Sequence, residues 1–553
     1  MRMIPSIADR WPDSRISRTL LPSLFAVAFS SLLGGISAAG TIVVKKGGNH
    51  PTINDGVAAA GSGDTVLVRN GVYQENVSIP AGKNGLKLIA DGKVIVEARP
   101  AGGSGKGPGI RVDSEDVMIT GFVIRNAALD PNAPFYEGYG IWCLKDGLTV
   151  KNCVVTGCGS RAVLAAPSHR VTIQHCEFAG NQGGLRIDGD QARVIRTTVR
   201  NDNGDGITVV GDGAKIIRCA ALVTRTNALG VYGENATLQK NAVRDSDRHG
   251  ILVDGGNATI QNNVVENVAD DGLNLTSGTG SKVKDNTIRN THENGIFVGL
   301  SSDVQVTGNR LEATRLYGID ITGSEHTISG NTIRNAVDYA IDVAGSGMLI
   351  EGNQIERVYG YGVYVDGDDF TVRGNTIRDC TVDYEAIYIG GDAVVGLIED
   401  NRVFNSAGAG IYINSLQSSG IVIARNTIRE TCLGGDDAGI VLRGSNHEIR
   451  DNTIRDCGGD GILVEGDSNL VKDNLVKGCA RDGVDVEIGA GNTVLRNQVI
   501  GCGAEGLENN GTSTTVTNNR LRGNRIDLAN DGTGTPSGND YATGGWGTAP
   551  EID

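Results

Sequence analysis

Two short phrases alternate along the chain with a nearly constant period. One is Asn-x-(Ile/Val/Leu), beginning at Asn241, Asn263, Asn286, Asn309, Asn331, Asn353, Asn375, Asn401, Asn426, Asn452, Asn474, Asn497 and Asn519. The other is Gly-(Ile/Val/Leu)-x-aliphatic, as at Gly206, Gly250, Gly272, Gly295, Gly318, Gly362, Gly410, Gly439, Gly461 and Gly483, with Ala340 and Ala386 in the glycine place of two repeats. The spacing is mostly 22 or 23 residues and widens to 25–26 between Asn375 and Asn452, where a loop is longer. Within each unit apolar and polar residues alternate with period two, and no helical stripe appears, so the unit is a coil of short strands. A repeat of this size calls for a solenoid. Stacking the coils as parallel strands about 4.8 Å apart buries one aliphatic ladder per strand. The fold predicted is an all-β, single-stranded, right-handed parallel β-helix.

The register is tested independently by the residue three places after each asparagine. It reads Arg244, Glu266, Arg289, Glu312, Arg334, Glu356, Arg378. Stacked strands would set each charge between opposite charges, which stabilises modestly. Residues 40–126 are less regular and predict an N-terminal cap with the first coils. Within them Thr52–Ala60 predicts a short helix, with Ile53 and Val57 turned inward to close the open end of the core. Residues 127–530 are the regular β-helix. Residues 531–553 are the C-terminal tail, rich in Gly, Thr and Pro, which reads as a loose cover or as disorder.

Composition changes the picture in three ways. Gly at 81 residues with only 4% aromatics suits many tight turns around a narrow core. Residues 1–39 read as an export signal: Arg2, Arg10, Arg15 and Arg18 precede an apolar run from Leu20 to Ile36, followed by Ser37-Ala38-Ala39. That run is too short and too poorly flanked for a membrane span, so a secreted or periplasmic protein is expected. Removing the leader takes away four Arg and two Asp and moves the net charge from −15 to −17, which argues against nucleic acid as a partner. Of the ten cysteines, Cys457, Cys479 and Cys502 recur at one point of consecutive coils. An inward stack of thiols is the expectation, although strands 4.8 Å apart also permit disulfides.

With the opening GDTVLVRNGVYQENVSI from Gly63, the two repeated phrases resemble the pectate-lyase-like superfamily of right-handed parallel β-helix proteins, built of PbH1-type repeats. The resemblance covers nearly the whole mature chain and implies the fold together with a polysaccharide substrate. The superfamily includes polysaccharide lyases, uronan epimerases, glycoside hydrolases and proteins of no known activity. Locally, NDNGDGITVV from Asn201 and DSDRHGILV from Asp245 are similar to pieces of alginate C5-epimerase modules. Their Tyr-Gly-Phe-Asp-Pro-His motif has its nearest counterpart in Tyr317-Gly318-Ile319-Asp320, without the Pro-His.

If the aliphatic residues of the glycine phrase point inward, the residue before the glycine and those two and four after it point out. Eight of the thirteen tyrosines fall on that face: Tyr139, Tyr232, Tyr317, Tyr339, Tyr361, Tyr364, Tyr388 and Tyr412. With Trp142, Asn274, Asp320 and Asp342 they form a candidate carbohydrate-binding row, because amphipathic rings among carboxylates and amides suit the C–H faces and hydroxyls of sugars. A stabilising aromatic ladder with no ligand is the alternative. Candidate catalytic residues are His249 as base, Asp271 beside it to fix its tautomer, Arg186 to neutralise a substrate carboxylate, Tyr232 as proton donor, and Asp205. Asp320 and Asp342, stacked about 5 Å apart, match the carboxylate separation of retaining glycosidases. Asp460, Glu465, Asp482, Asp485 and Glu487 crowd the C-terminal end of the face, either solvated or neutralised by Ca²⁺. Three classes of function stay open: a lyase or C5-epimerase on a uronic-acid-containing glycan, a glycoside hydrolase, and a non-catalytic carbohydrate-binding or structural β-helix.

Overall fold

The computed structural model describes residues 39–541 except 99–106, 129–137, 382–383, 433–436 and 535. The predicted leader, apart from Ala39, and the last twelve residues lie outside the described residues. The described residues form a parallel β-solenoid. A typical coil runs through a face strand (Ile319–Ser324), a side strand (Thr327–Ser329) and a ladder strand (Thr332–Arg334) before the next face strand (Ile341–Ser346) begins. Each strand pairs in parallel with its counterpart one coil on: Ile319 stands opposite Ile341, Thr327 opposite Leu349, and Thr332 opposite Gln354. The inward aliphatics of the face strand, such as Ile319, Ile321, Ile341 and Val343, are fully buried.

The repeat asparagines explain why the coil bends where it does. The residue before each one has a left-handed backbone, for example Gly352 at φ 64° and Asp285 at φ 52°. That conformation favours Gly, Asn and Asp, and the corner it makes separates side strand from ladder strand, with the Asn353 side chain fully buried. Asn353 donates from Nδ2 to the Ile328 carbonyl at 2.9 Å and to Asn375 Oδ1 at 2.9 Å, and its backbone N–H reaches the same oxygen at 2.9 Å. Its own Oδ1 accepts both donors of Asn331. The pattern repeats from Asn241 to Asn519.

The outer charge register is as expected. Arg244, Glu266, Arg289, Glu312, Arg334, Glu356 and Arg378 are successive strand partners. Arg244 lies 2.9 Å from Glu266, and Arg334 lies 2.9 Å from Glu356. At the N-terminal end an α-helix spans Ile53–Ala59. Thr52 and Asp55 form its capping box, and Ile53 and Val57 are buried against the core. All ten cysteines are buried and free.

The tail departs from expectation. Asn519 donates to Asn539 Oδ1 from its backbone N–H at 2.8 Å and from Nδ2 at 3.1 Å. Asp540–Tyr541 then pairs with Arg520 and Leu521. The ladder therefore continues past residue 531, because a lone Asn-Asp-Tyr suffices to satisfy the donors that Asn519 would otherwise leave buried and unpaired. No helix among the described residues is long and apolar enough to cross a membrane.

Replacing Asn353 with Ala leaves several buried groups without partners and is expected to destabilise the protein by about 3 kcal/mol. Removing the half-exposed ion pair with Arg334→Ala should cost no more than about 1 kcal/mol. Urea unfolding of the two variants side by side measures the difference.

Candidate functional site

The face strands carry two outward columns. In one, the residue before each glycine stacks as His249, Asp271, Asn294, Tyr317, Tyr339, Tyr361 and Glu385, joined by backbone hydrogen bonds from coil to coil. In the other, Asn274, Phe297, Asp320, Asp342, Tyr364, Tyr388 and Tyr412 are successive strand partners. Together they make one continuous strip along the rod.

Tyrosines dominate its C-terminal half. Ring centroids are 5.1 Å apart for Tyr317 and Tyr339, 4.7 Å for Tyr339 and Tyr361, and 4.6 Å for Tyr361 and Tyr388. Tyr364 stacks on Tyr388 at 5.4 Å with planes 11° apart, and Tyr388 on Tyr412 at 5.5 Å and 14°. The Arg443 guanidinium covers the far end, 5.3 Å from the Tyr412 ring. Tyr384 joins edge-on to Tyr361 at 4.9 Å. Tyr384 carries no signal in the repeat, because it sits two places before Ala386, outside the outward positions of the phrase. Burial raises the hydroxyls of Tyr317, Tyr339, Tyr361, Tyr364, Tyr388 and Tyr412, Tyr339 and Tyr412 each to about 12, so these six are neutral phenols at ordinary pH.

Asp320 and Asp342 stand in register where the wall begins. Burial first, and then the Asp271 charge, pushes Asp320 up to about 6. Burial, followed by the charges of Asp320, Asp338 and Asp366, pushes Asp342 up to about 7. Glu385, near the middle of the wall, is raised by burial to about 7. Asp338, raised by burial as well, had no signal in the glycine phrase.

At the N-terminal half of the strip His249 and Asp271 do meet. His249 Nδ1 lies 3.3 Å from Asp271 Oδ2 and 3.3 Å from the Asp271 backbone N–H. Asp271 is held by Asn274 Nδ2 at 2.8 Å and by the Asn294 backbone N–H at 3.1 Å. Asn274 thus acts as a brace for Asp271, its own Oδ1 being taken by Thr276 at 3.0 Å. Asp270 lies 3.9 Å from His249 Nε2. Glu293 stands close enough to Asp271 and His249 for their charges to act on it, after burial, which raises it. Neither flanking acid fell on a position the repeat marked as outward.

The other candidate catalytic residues are not brought to His249. Arg186 lies three coils away in the second column, roughly 14 Å at the strand spacing, and it is paired with Asp188 at 2.8 Å. Asp205, two coils from His249, is held by Arg161 at 3.3 Å and by the Thr226 hydroxyl. Tyr232 pairs with Asp254 and not with the second column. Ala228 fills the glycine place of that coil, which sets Tyr232 four places after it, one outward position beyond the second column. Tyr139 and Trp142 contact each other at 5.8 Å, with Arg111 over the indole at 4.8 Å. They are buried and lie eight coils before Asp320, apart from the wall.

Of the five carboxylates assigned to the C-terminal end, Asp460, Asp482 and Asp485 come together, with ligand oxygens all within 4.8 Å. Glu465 instead pairs with Arg443, and Glu487 points to solvent. Glu505 and Glu508 of the next coil join Asp482 in their place. Glu505 precedes and Glu508 lies within Gly506-Leu507-Glu508-Asn509, the last glycine phrase, which lacks the second aliphatic residue.

The family described as "Right handed beta helix region" matches residues 103–219, 205–325, 317–435 and 438–540. No curated protein matches the chain in sequence. Among solved structures it is similar to the catalytic unit of a GH87 α-1,3-glucanase from Streptomyces thermodiastaticus, at 14% identity and a TM-score of 0.36, covering 71% of this chain and 70% of that one. A PL6 alginate lyase in complex with a trisaccharide is 16% identical with a TM-score of 0.37, over 66% and 85% of the two chains. The A-module of an Azotobacter vinelandii mannuronan C-5 epimerase is 16% identical with a TM-score of 0.27, over 66% and 93%. At that identity and overlap they say nothing of this chain's chemistry. The matches to the family span most of the solenoid, and the chain belongs to the right-handed β-helix family.

Proposed function

We propose that the protein binds a carbohydrate polymer of low charge along the tyrosine wall and hydrolyses it between Asp320 and Asp342, outside the cytoplasm. The observation that carries this is the run of seven touching tyrosines that starts beside two in-register aspartates with raised pKa values. Stacked phenols offer flat apolar faces to sugar rings and hydroxyls to their edges. The acidic lining repels a polyanion, which favours a neutral glycan. The export leader read from the sequence supports the location.

The two carboxyl groups divide the chemistry by their environments. Near pH 6.5 Asp342 still holds its proton, and Asp320 is the more readily ionised. Strand spacing sets them about 5 Å apart, the separation of a retaining pair. Asp342 gives its proton to the glycosidic oxygen as the C1–O bond breaks, and the Asp320 carboxylate forms the ester at C1. Asp342, now a carboxylate, takes a proton from water while the water oxygen attacks C1 and releases Asp320. Activity should follow a narrow bell with limbs near pH 6 and pH 7, measured as reducing ends released from neutral glycans. Asp342→Asn should lower kcat by a factor of about 10² to 10⁴. Tyr361→Ala should raise KM about tenfold with less change in kcat. An Asp342→Asn protein that cleaves as fast as the wild type defeats the assignment.

A lyase or C5-epimerase acting on a uronic-acid-containing glycan is favoured by a different observation, the 3.3 Å contact of His249 with Asp271. Its product distinguishes it. A lyase releases an ultraviolet-absorbing unsaturated uronate that His249→Ala abolishes, and an epimerase alters the polymer without cleaving it. Binding without any turnover would leave a carbohydrate-binding β-helix.

The same aspartates link stability to pH. Their folded pKa values lie above the 3.8 of an ordinary aspartate, so between pH 4 and 7 the folded protein holds more protons than the unfolded chain. Their contribution to stability therefore grows as pH falls from about 7 towards 4 and is lost as pH rises through 7. Asp342→Asn is expected to raise Tm at pH 8 and to flatten its dependence on pH between 8 and 5 in thermal unfolding.

A further inference from the structure

We propose that Asp460, Asp482 and Asp485 bind a Ca²⁺ ion that ties together the last coils of the solenoid, with Glu505 and Glu508 completing the oxygen set. This site is six coils beyond Asp342 along the second column, roughly 29 Å at the strand spacing, and it stands independently of the reaction proposed above.

Three features converge. The carboxylates come from successive coils and form two overlapping groups, Asp460 with Asp482 and Asp485, and Asp482 with Glu505 and Glu508, each with its ligand atoms within 4.8 Å. Ligands on opposite sides of Ca²⁺ are roughly 4.6–5.2 Å apart, so oxygens at this spacing can reach one Ca²⁺ together, whereas Mg²⁺ needs tighter octahedral contacts. The carboxylates are also held in place. Asp460 Oδ1 accepts the Asp482 backbone N–H at 2.8 Å, and Asp482 Oδ1 accepts that of Glu505 at 2.6 Å.

The second feature is Asp485 itself. Only 8% of it is exposed, and its Oδ1 is buried with no hydrogen-bond partner. A buried carboxylate oxygen left unpaired is costly, and a cation held by its neighbours removes that cost. The third is the charge count. Five carboxylates face the guanidiniums of Arg481, 3.9 Å from Asp460, and Arg525, 3.2 Å from Glu505, which leaves excess negative charge in a recess where Asp460, Asp482 and Asp485 are all buried. An all-oxygen, all-carboxylate set selects a hard cation.

The test is equilibrium dialysis of the full chain against CaCl₂ at pH 7.5, with thermal unfolding in Ca²⁺, in Mg²⁺ and in chelator. The expected result is one tightly held ion per chain and a Tm about 5 °C higher at saturating Ca²⁺ than in chelator, with a smaller rise in Mg²⁺. Asp485→Asn should lose both effects while keeping the strand circular dichroism. Glu487→Gln, on an exposed residue outside the group, should keep both. If Asp485→Asn does not fold, Glu508→Gln serves in its place, with at least a tenfold loss of affinity expected. A Tm that ignores Ca²⁺ but rises on acidification would show shared protons holding the carboxylates and would overturn the site. Ion binding unchanged in the folded variant would overturn it as well.

Discussion

From Asn241 to Asn519 the coils are held in vertical register by buried amides that cannot be satisfied within their own coil. Asn353 donates to Asn375 of the coil on one side and to the Ile328 carbonyl of the coil on the other, whose Asn331 fills its acceptor, and the same pattern runs along the ladder from Asn241 to Asn519. A slip of one residue would strand buried donors and acceptors at every level and turn the aliphatic ladders outward. The left-handed residue before each asparagine makes this possible by turning the amide into the core. Lateral alignment of residues some twenty-two positions apart is therefore enforced by polar chemistry inside an apolar rod.

That alignment converts a sequence repeat into surface columns, and what a column does depends on which residues fill it. On the ladder strand the column alternates Arg and Glu, and its members neutralise each other in solvent. On the face strand the column holds acids and tyrosines without intervening bases between Asp320 and Tyr388. Like charges stacked at strand spacing next to aromatic rings lose solvation and repel each other, so Asp320 and Asp342 rise well above an ordinary carboxylate. One geometry thus yields an inert ion-pair ladder on one side of the rod and protonatable acids on another.

The same physics operates at the C-terminal end, where three coils bring acids together without aromatic partners. Burial, followed by the charges of Glu508 and Asp460, raises Asp485 to about 8. Whether a column of acids becomes a protonatable pair or a cation site depends on how many oxygens converge and whether a polar neighbour satisfies them. Asp320 and Asp342 lie beside phenols; Asp485 has a buried oxygen with no hydrogen-bond partner.

The sequence by itself determined the coil, its period, the helix that closes it, the alternating charges and most of the tyrosine wall. Each of these repeats with the backbone, and a residue's position within the repeat fixes the direction of its side chain. What it did not determine is which coils carry a site. Arg186 and Asp205 are placed on the correct face, yet they lie coils away from His249 and are engaged by Asp188 and Arg161. Tyr232 stands four places after Ala228, which holds the glycine place of its coil, Glu505 and Glu508 escaped because their coil strays from the phrase, and Tyr384 because it lies outside the outward positions of the phrase. Proximity across coils depends on the number of intervening turns, and a partner for a charged group depends on side chains reaching between columns. Both are properties of the stacked rod, which only the tertiary structure decides.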